Sequence, residues 1–472
     1  MDYYKVFSVD RNKSYIDFIN ANRYNKNTTI STPFHKAIRV VQCDQTSSSY
    51  PLRAIERTLE TFVYPYYTNT HSNNALGRYM AKLVEHATKI IHKSVGAGED
   101  DVVIFTGSGA SGAVNHLIHL IKPDLVKSVV FVSELEHYSN YLGWYHYAKR
   151  LVVVPSDANG LIDVVELEKL LKRYTRQYPK SFVSMTSCSN ITGTLQPVED
   201  ISRLAHKYGA KVFFDYATSA PYVNINMHSR GSDMDAIFFS AHKFPGAQSS
   251  PGILVINRRL VCTDVPFTPN GGTVRFVSKG TCPVYSTNLS KREMGGTPNI
   301  IGIIRTGIAV SIQQAYIDYI YDHELQLTRL FSKGLLRLCA QYPQLRCLVP
   351  VNNALRLPIF SIQIKPFHYN FVVVLLSDIF GITTRGGVNC SGILAEKLLK
   401  LNPKQTELIR DSIVKGKGVP REYGWVRITL TSYHTVSDIK KILKAIRFVI
   451  TQGERYMSLY KYNPESNVFS VV

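Results

Sequence analysis

Apolar residues run along the middle of the chain in short blocks separated by amphipathic stretches. Seven blocks are rich in β-branched and aromatic residues: 102–105, 129–132, 151–154, 182–186, 212–215, 236–240 and 252–256. Between them, residues 113–121, 165–174 and 198–208 carry apolar side chains at helical spacing. Strands alternating with helices predict βαβ units and a mostly parallel sheet covered on both faces. Only "HKFPGAQSSPG" separates the last two blocks. That is too short for a helical crossover, so the final strand is expected to run antiparallel.

The pattern changes after residue 300. A long helical stretch runs to about residue 342, followed by "RLPIFSIQI", "FVVVLLSDIFGITTRGG" and "GWVRITLTSYHTVSDIKKILKAIRFVI". These predict a smaller α+β lobe. The N-terminal hundred residues read as an irregular arm plus two helices, the second over 78–94. The expected organisation is an arm (1–60), a large α/β domain (61–310), then a linker helix with a small α+β domain (311–472). At 472 residues the chain exceeds one usual core.

The stretch "DVVIFTGSGASGAVNHLIHLI" at 101–121 reads as strand, glycine turn and helix. Gly107, Gly109 and Gly112 spell a dinucleotide-binding fingerprint, and Glu134 stands where a ribose-binding acid belongs. The physics is generic, however. Free N–H groups at a helix start attract any phosphate, and such a turn also occurs with no ligand.

Formal charge is +20, from 55 basic and 35 acidic residues. The charges are scattered and no RNA- or DNA-reading motif is present, which argues against a nucleic-acid partner. The seven cysteines form no C-x-x-C pair. Neither a disulfide framework nor a zinc site is expected, and a reducing compartment fits. "MDYYKVFSVDRNKSYIDF" has no apolar signal core, and the tightest apolar run, "FVVVLL", is far too short to span a bilayer. A cytoplasmic protein without membrane contact is the expectation.

Ligands of open α/β sheets sit at the carboxyl ends of the strands. Those ends bring "TGSGAS", "SELEHYSN" with His137, "SCSNITGT" with Asn190, "FFDYATSAP" with Asp215, and "FFSAHKFPG" with Ser240, His242 and Lys243. A lysine after the apolar "IFFSAH" is partly desolvated, which lowers its pKa and leaves an amine able to attack a carbonyl. The bland alternative is a lysine that exits to solvent. Asp215 alone would more often be a turn residue. Paired with Lys243 it fits the partner of a protonated pyridine nitrogen.

With these residues in place, the chain resembles the fold-type-I pyridoxal-phosphate enzymes of aminotransferase class V, the cysteine desulfurase group. The matching words occur in the family's order: "NTHSNNALGR", "FTGSGASGAVN", "SELEHYSN", "SNITGTLQPVEDI", "VFFDYATSAP", "FFSAHKFPG", "GGTPNIIGIIRTG", "TTRGGVNCSG" and "GWVRITLTSYHTVSDI". The resemblance implies a mostly parallel seven-stranded sheet with a smaller α+β domain. It implies that Lys243 holds pyridoxal 5'-phosphate as an aldimine, that Asp215 bonds the ring nitrogen, and that His137 stacks on the ring. Asn190 would approach the ring's 3-oxygen. Ala110, Ser111, Ser240 and His242 would hold the phosphate, which the opening loop then serves. Thr273 would reach a neighbouring subunit's phosphate, implying a homodimer. Arg385 would clamp the substrate carboxylate, and His71 is a further substrate-side candidate.

Two departures bear on the reaction. Thr218 replaces the glutamine of the family's D-x-A-Q pattern. No cysteine lies between 348 and 384, before Arg385, where a sulfur carrier is expected, and Cys390 follows the arginine as a possible thiol. The expected function is a pyridoxal-phosphate enzyme acting on an amino acid, like a cysteine desulfurase or selenocysteine lyase, with a possible sulfur-acceptor protein. The alternatives are an aminotransferase, β-lyase or epimerase, a dinucleotide oxidoreductase, or a binding protein without turnover.

Overall fold

The structure is a computed structural model and describes residues 3–9, 11–350 and 355–472. Its centre is a seven-stranded sheet: β1 (Asp101–Thr106), β2 (Ser128–Ser133), β3 (Arg150–Val154), β4 (Lys180–Thr186), β5 (Lys211–Asp215), β6 (Ala236–Ser240) and β7 (Gly252–Asn257). The spatial order is β1-β7-β6-β5-β4-β2-β3. β7 is antiparallel to both of its neighbours. The remaining pairings are parallel. The short 241–251 connection enforces that one reversal, as expected.

The strands are buried almost without interruption, because helices cover both faces. Alternate residues feed two separate cores. In β2, Val129 and Phe131 enter one and Val130 and Val132 the other. In β6, Ile237 and Phe239 face the first while Ala236 and Phe238 face the second. Period-two geometry on a sheet clothed on both sides explains why the sequence shows solid apolar blocks without alternation.

Helix α1 (Ala75–Ser94) packs against the 42-residue helix α2 (Ile300–Gln341). Their approach is close: a Cβ added at Gly307 would stand 2.7 Å from the Ala87 Cβ. By length and composition α2 could cross a membrane, but 67% of its most apolar window is buried inside the protein. The boundary expected at 310 falls inside α2, which continues unbroken from the large core into the small lobe. That lobe holds β8 (Leu345–Cys347), β9 (Ile359–Ile364), β10 (Arg385–Gly387) and β11 (Trp425–Thr429), in the order β8-β9-β11-β10.

The N-terminal region holds more regular structure than the expected arm with two helices. It contains three helices, Tyr15–Asn22, Arg53–Phe62 and α1. It also contains a hairpin of Thr29–Thr32 with His35–Arg39, and Val41–Gln42 pairs in parallel with Ile382–Thr383 of the small lobe. No residue of the hairpin is buried. Main-chain bonds, the Thr32 and His35 side chains on the Asp378 and Ile379 carbonyls, and the turn's Phe34 against Tyr456 hold it, and one aromatic at a turn sets no hydrophobic period.

At the β1 turn, a Cβ on Gly252 would lie 2.0 Å from the Gly109 carbonyl oxygen. Gly252→Ala must therefore displace the turn. We expect a loss of about 1–3 kcal/mol, read as a lowered denaturant midpoint with an unchanged m-value.

Candidate active site

The carboxyl ends of β2, β4, β5 and β6 meet a wall from the small lobe and enclose a cavity of about 220 Å³. Eleven of the thirteen expected residues line it: Ala110, Ser111, His137, Asn190, Asp215, Thr218, Ser240, His242, Lys243, Arg385 and Cys390. His71 does not, and Thr273, expected at a neighbouring subunit's phosphate, lies outside this chain's own cavity. His71 is exposed, and Thr273 is buried with its hydroxyl donating to the Asn270 carbonyl at 2.6 Å. The two lie near each other, since a Cβ on Gly272 would come 3.6 Å from His71 Cε1.

Lys243 ends a short 3-10 turn (Ala241–Lys243) directly after β6, and Asp215 is the last residue of the adjacent β5. Burial lowers the Lys243 ammonium to about 8, and the negative charge of Asp215 offsets only part of that. Burial raises Asp215 to about 6, against the Ala217 N–H that donates to its Oδ1 at 2.8 Å. Each group is thus pushed toward its neutral form, and each charge holds the other up.

His137 follows β2. Burial lowers its pKa to about 4, helped by the positive charges of Lys243, Arg427 and Arg385. The Ser139 backbone N–H donates to Nδ1 at 3.2 Å. A backbone N–H can only donate, so Nδ1 accepts and the single ring proton sits on Nε2. Glu136 anchors this corner. It accepts from the Thr186 N–H at 2.9 Å and from Asn140 at 2.7 Å, tying the ends of β2 and β4 together. Burial raises its pKa to about 8.

The helix Gly109–Leu125 begins at the cavity, with Ser108, Ala110 and Ser111 in its lining. Gly109 has φ of +58°, and a Cβ there would stand 2.7 Å from the Ser240 hydroxyl and 3.4 Å from His242 Nε2. Ser240 accepts from the Ala110 N–H at 2.8 Å. Of the three fingerprint glycines, Gly109 is the one in left-handed conformation. This backbone cradle at a helix N-terminus suits a phosphate monoester. With the Lys243 amine, the Asp215 carboxylate and the His137 ring on the same cavity, the residues present fit pyridoxal phosphate.

Sequence reasoning missed Arg427. It lies in β11, is 3% exposed, and lines the cavity. Its Nη2 donates to Asp44 Oδ1 at 2.8 Å and to Ser47 at 3.1 Å. Burial lowers its pKa, and Asp44 works against that. Its signal was available: an arginine inside the apolar run "GWVRITL" is a charge that must be buried with a partner. Arg385 pairs with it across β10 and β11, but its side chain is half exposed and bonds Ser47 at 2.8 Å.

Cys390 was placed by sequence after the expected carrier position. The β10–β11 pairing nevertheless carries it to the cavity wall. It and Asn389 are both left-handed, with φ of 59° and 50°. Asn190, expected at a ring oxygen, lines the cavity and gives its amide N–H to the Asn389 carbonyl at 3.0 Å.

Two titrations check the electrostatics. In cofactor-free protein, modification of Lys243 by an amine-reactive aldehyde plus borohydride should inflect near pH 8, and not at the usual lysine value of about 10.4. Asp215→Asn should move the inflection lower, because it removes a charge that supports the ammonium. His137 should keep one Nε2 proton down to about pH 4, visible in its ring nitrogen shifts.

With that geometry in hand, comparison with known proteins is direct. The family model of aminotransferase class V matches residues 42–442. A probable cysteine desulfurase of Chlamydia muridarum is 31% identical over 303 residues, covering 63% of this chain and 72% of that protein. One of Halalkalibacterium halodurans is 27% identical over 360 residues, covering 75% and 84%. The apo structure of a cysteine desulfurase from Thermococcus onnurineus superposes with a TM-score of 0.75 at 21% identity, covering 94% of this chain and 99% of that one. The chain therefore belongs to the aminotransferase class V family and is a pyridoxal-phosphate-dependent enzyme.

Proposed function

We propose that this enzyme removes sulfur from cysteine, or selenium from selenocysteine, and that Cys390 receives it. The observation that carries this reading is the thiol of Cys390 on the same cavity as Lys243, Asp215 and His137. Relatives named cysteine desulfurase support the substrate class.

Bound pyridoxal phosphate supplies an electron-withdrawing ring that stabilises negative charge on the substrate's α-carbon. Lys243 would hold the cofactor, Asp215 would face its ring nitrogen and His137 its ring. The N-terminus of Gly109–Leu125, with Ser111, Ser240 and His242, would take the phosphate. Arg385, on the cavity with a planar fork held only by Ser47 and Asp44 at its edge, would clamp the substrate carboxylate. Arg427, bonded to Asp44 and to the Asn190 carbonyl, adds buried positive charge behind it. Lys243, with its lowered pKa, moves the proton at the substrate α-carbon near neutral pH.

The Cys390 thiolate then attacks the substrate sulfur. An S–S bond forms and the Cβ–S bond breaks. The released electron pair stays on Cβ, which takes a proton, so the products are alanine and a Cys390 persulfide. An acceptor thiol must later remove that sulfur.

We also propose a homodimer. The hairpin of Val274–Phe276 and Val284–Tyr285 follows Thr273 and exposes Phe276, Val277 and Val284. Such side chains on one projecting ribbon fit burial against a second copy.

Cys390→Ser should keep the cofactor's absorbance and lose alanine formation from cysteine by about a hundredfold or more. A full rate would remove Cys390 as carrier. Arg385→Lys should raise KM for cysteine about tenfold, with a smaller effect on KM for Arg427→Lys. Val277→Asp should shift light-scattering mass from dimer to monomer.

A further inference from the structure

The turn that carries Cys390 is held more tightly than an exposed cysteine requires. Two consecutive non-glycine residues, Asn389 and Cys390, are left-handed. Asparagine tolerates that conformation, but cysteine does not adopt it without help, so neighbouring contacts must impose it. The contacts are specific. Asn190 donates to the Asn389 carbonyl at 3.0 Å and accepts from the Ser391 hydroxyl at 3.0 Å. One amide therefore grips the residues on either side of the cysteine.

The Trp425 indole N–H donates to the Asn389 side-chain oxygen at 2.8 Å. The Tyr138 backbone N–H holds the Cys390 carbonyl at 2.8 Å. Asn190 and Tyr138 belong to the large domain, and Trp425 heads β11 of the small lobe. Both domains therefore fix the same turn, the first from the edge that carries Lys243. Ser391 and Trp425 are fully buried, and neither lines the cavity.

We propose that Asn190, Ser391 and Trp425 are positioning residues that lock the left-handed turn and so set where the Cys390 thiol stands relative to Lys243. This rests on the reading that Cys390 takes the substrate's sulfur. Asn190 then links the cofactor pocket to the thiol, and does more than serve a ring oxygen. The clamp acts on the sulfur step alone. Proton movement at the α-carbon uses Lys243 and needs no thiol.

Ser391→Ala and Trp425→Phe each delete one hydrogen bond and leave the cavity lining intact. In the holoenzyme, each should lower kcat for alanine formation about tenfold with KM unchanged. Exchange of the α-hydrogen of L-alanine with D2O, followed by proton NMR, should stay within about twofold of the parent. Alkylation of Cys390 by iodoacetamide, followed by peptide mass spectrometry, should speed up about fivefold as the freed turn lets the exposed thiol swing away from the cavity wall. If alkylation stays within about twofold for both variants, or if α-hydrogen exchange falls in step with kcat, the clamp proposal is overturned. The functional reading fails separately, if Cys390→Ser retains alanine formation. The alkylation rates then still decide whether the turn is clamped.

Discussion

The site depends on holding an amine and a carboxylate partly out of water at the ends of adjacent strands. β5 and β6 are parallel neighbours, and their last residues lead straight to Asp215 and Lys243. Burial drives both toward neutrality, opposed at Asp215 by the Ala217 N–H and the Lys243 charge and at Lys243 by the Asp215 charge. The linkage has a definite sign. Asp215 binds its proton more tightly when folded, so its contribution to stability falls as pH rises from about 4 to 6. Lys243 gives up its proton more readily when folded, so stability returns as pH climbs beyond about 8. The cofactor-free protein is therefore least favoured by this pair near neutral pH, where the enzyme must keep an amine ready to react.

The rest of the site follows from the same edge. The sheet brings the anion cradle, the His137 ring and the Lys243 amine to one side because parallel strands all end there. Glu136 fastens β2 to β4, which keeps His137 in register with Asp215. The small lobe closes the cavity with β10 and β11, supplying Arg385, Arg427 and Cys390. The Cys390 thiol and the two arginines thus arrive on one ribbon, pinned to the large domain through Asn190.

The central sheet and its strand-end residues were legible because solid apolar blocks mark strands buried on both faces. Lys243, Asp215 and His137 each sit within a few residues of such a block. The Arg427–Asp44 pair was not legible, since its partners are 383 residues apart and the N-terminal segment carries no period. Cys390, expected as a possible thiol outside the usual carrier position, lines the cavity because the β10–β11 pairing returns its segment there. Thr273 and His71 stand together outside the cavity, beside the apolar hairpin, where a single chain gives them no role at the cofactor.

The most direct test of the account is where sulfur goes after one turnover. The holoenzyme is mixed with one equivalent of L-cysteine, trapped with an alkylating agent, digested and mapped by mass spectrometry. One added sulfur atom is expected on the Cys390 peptide, together with one equivalent of alanine, and neither in Lys243→Ala. Alanine released with no sulfur on Cys390, or sulfur found on another cysteine, would contradict it.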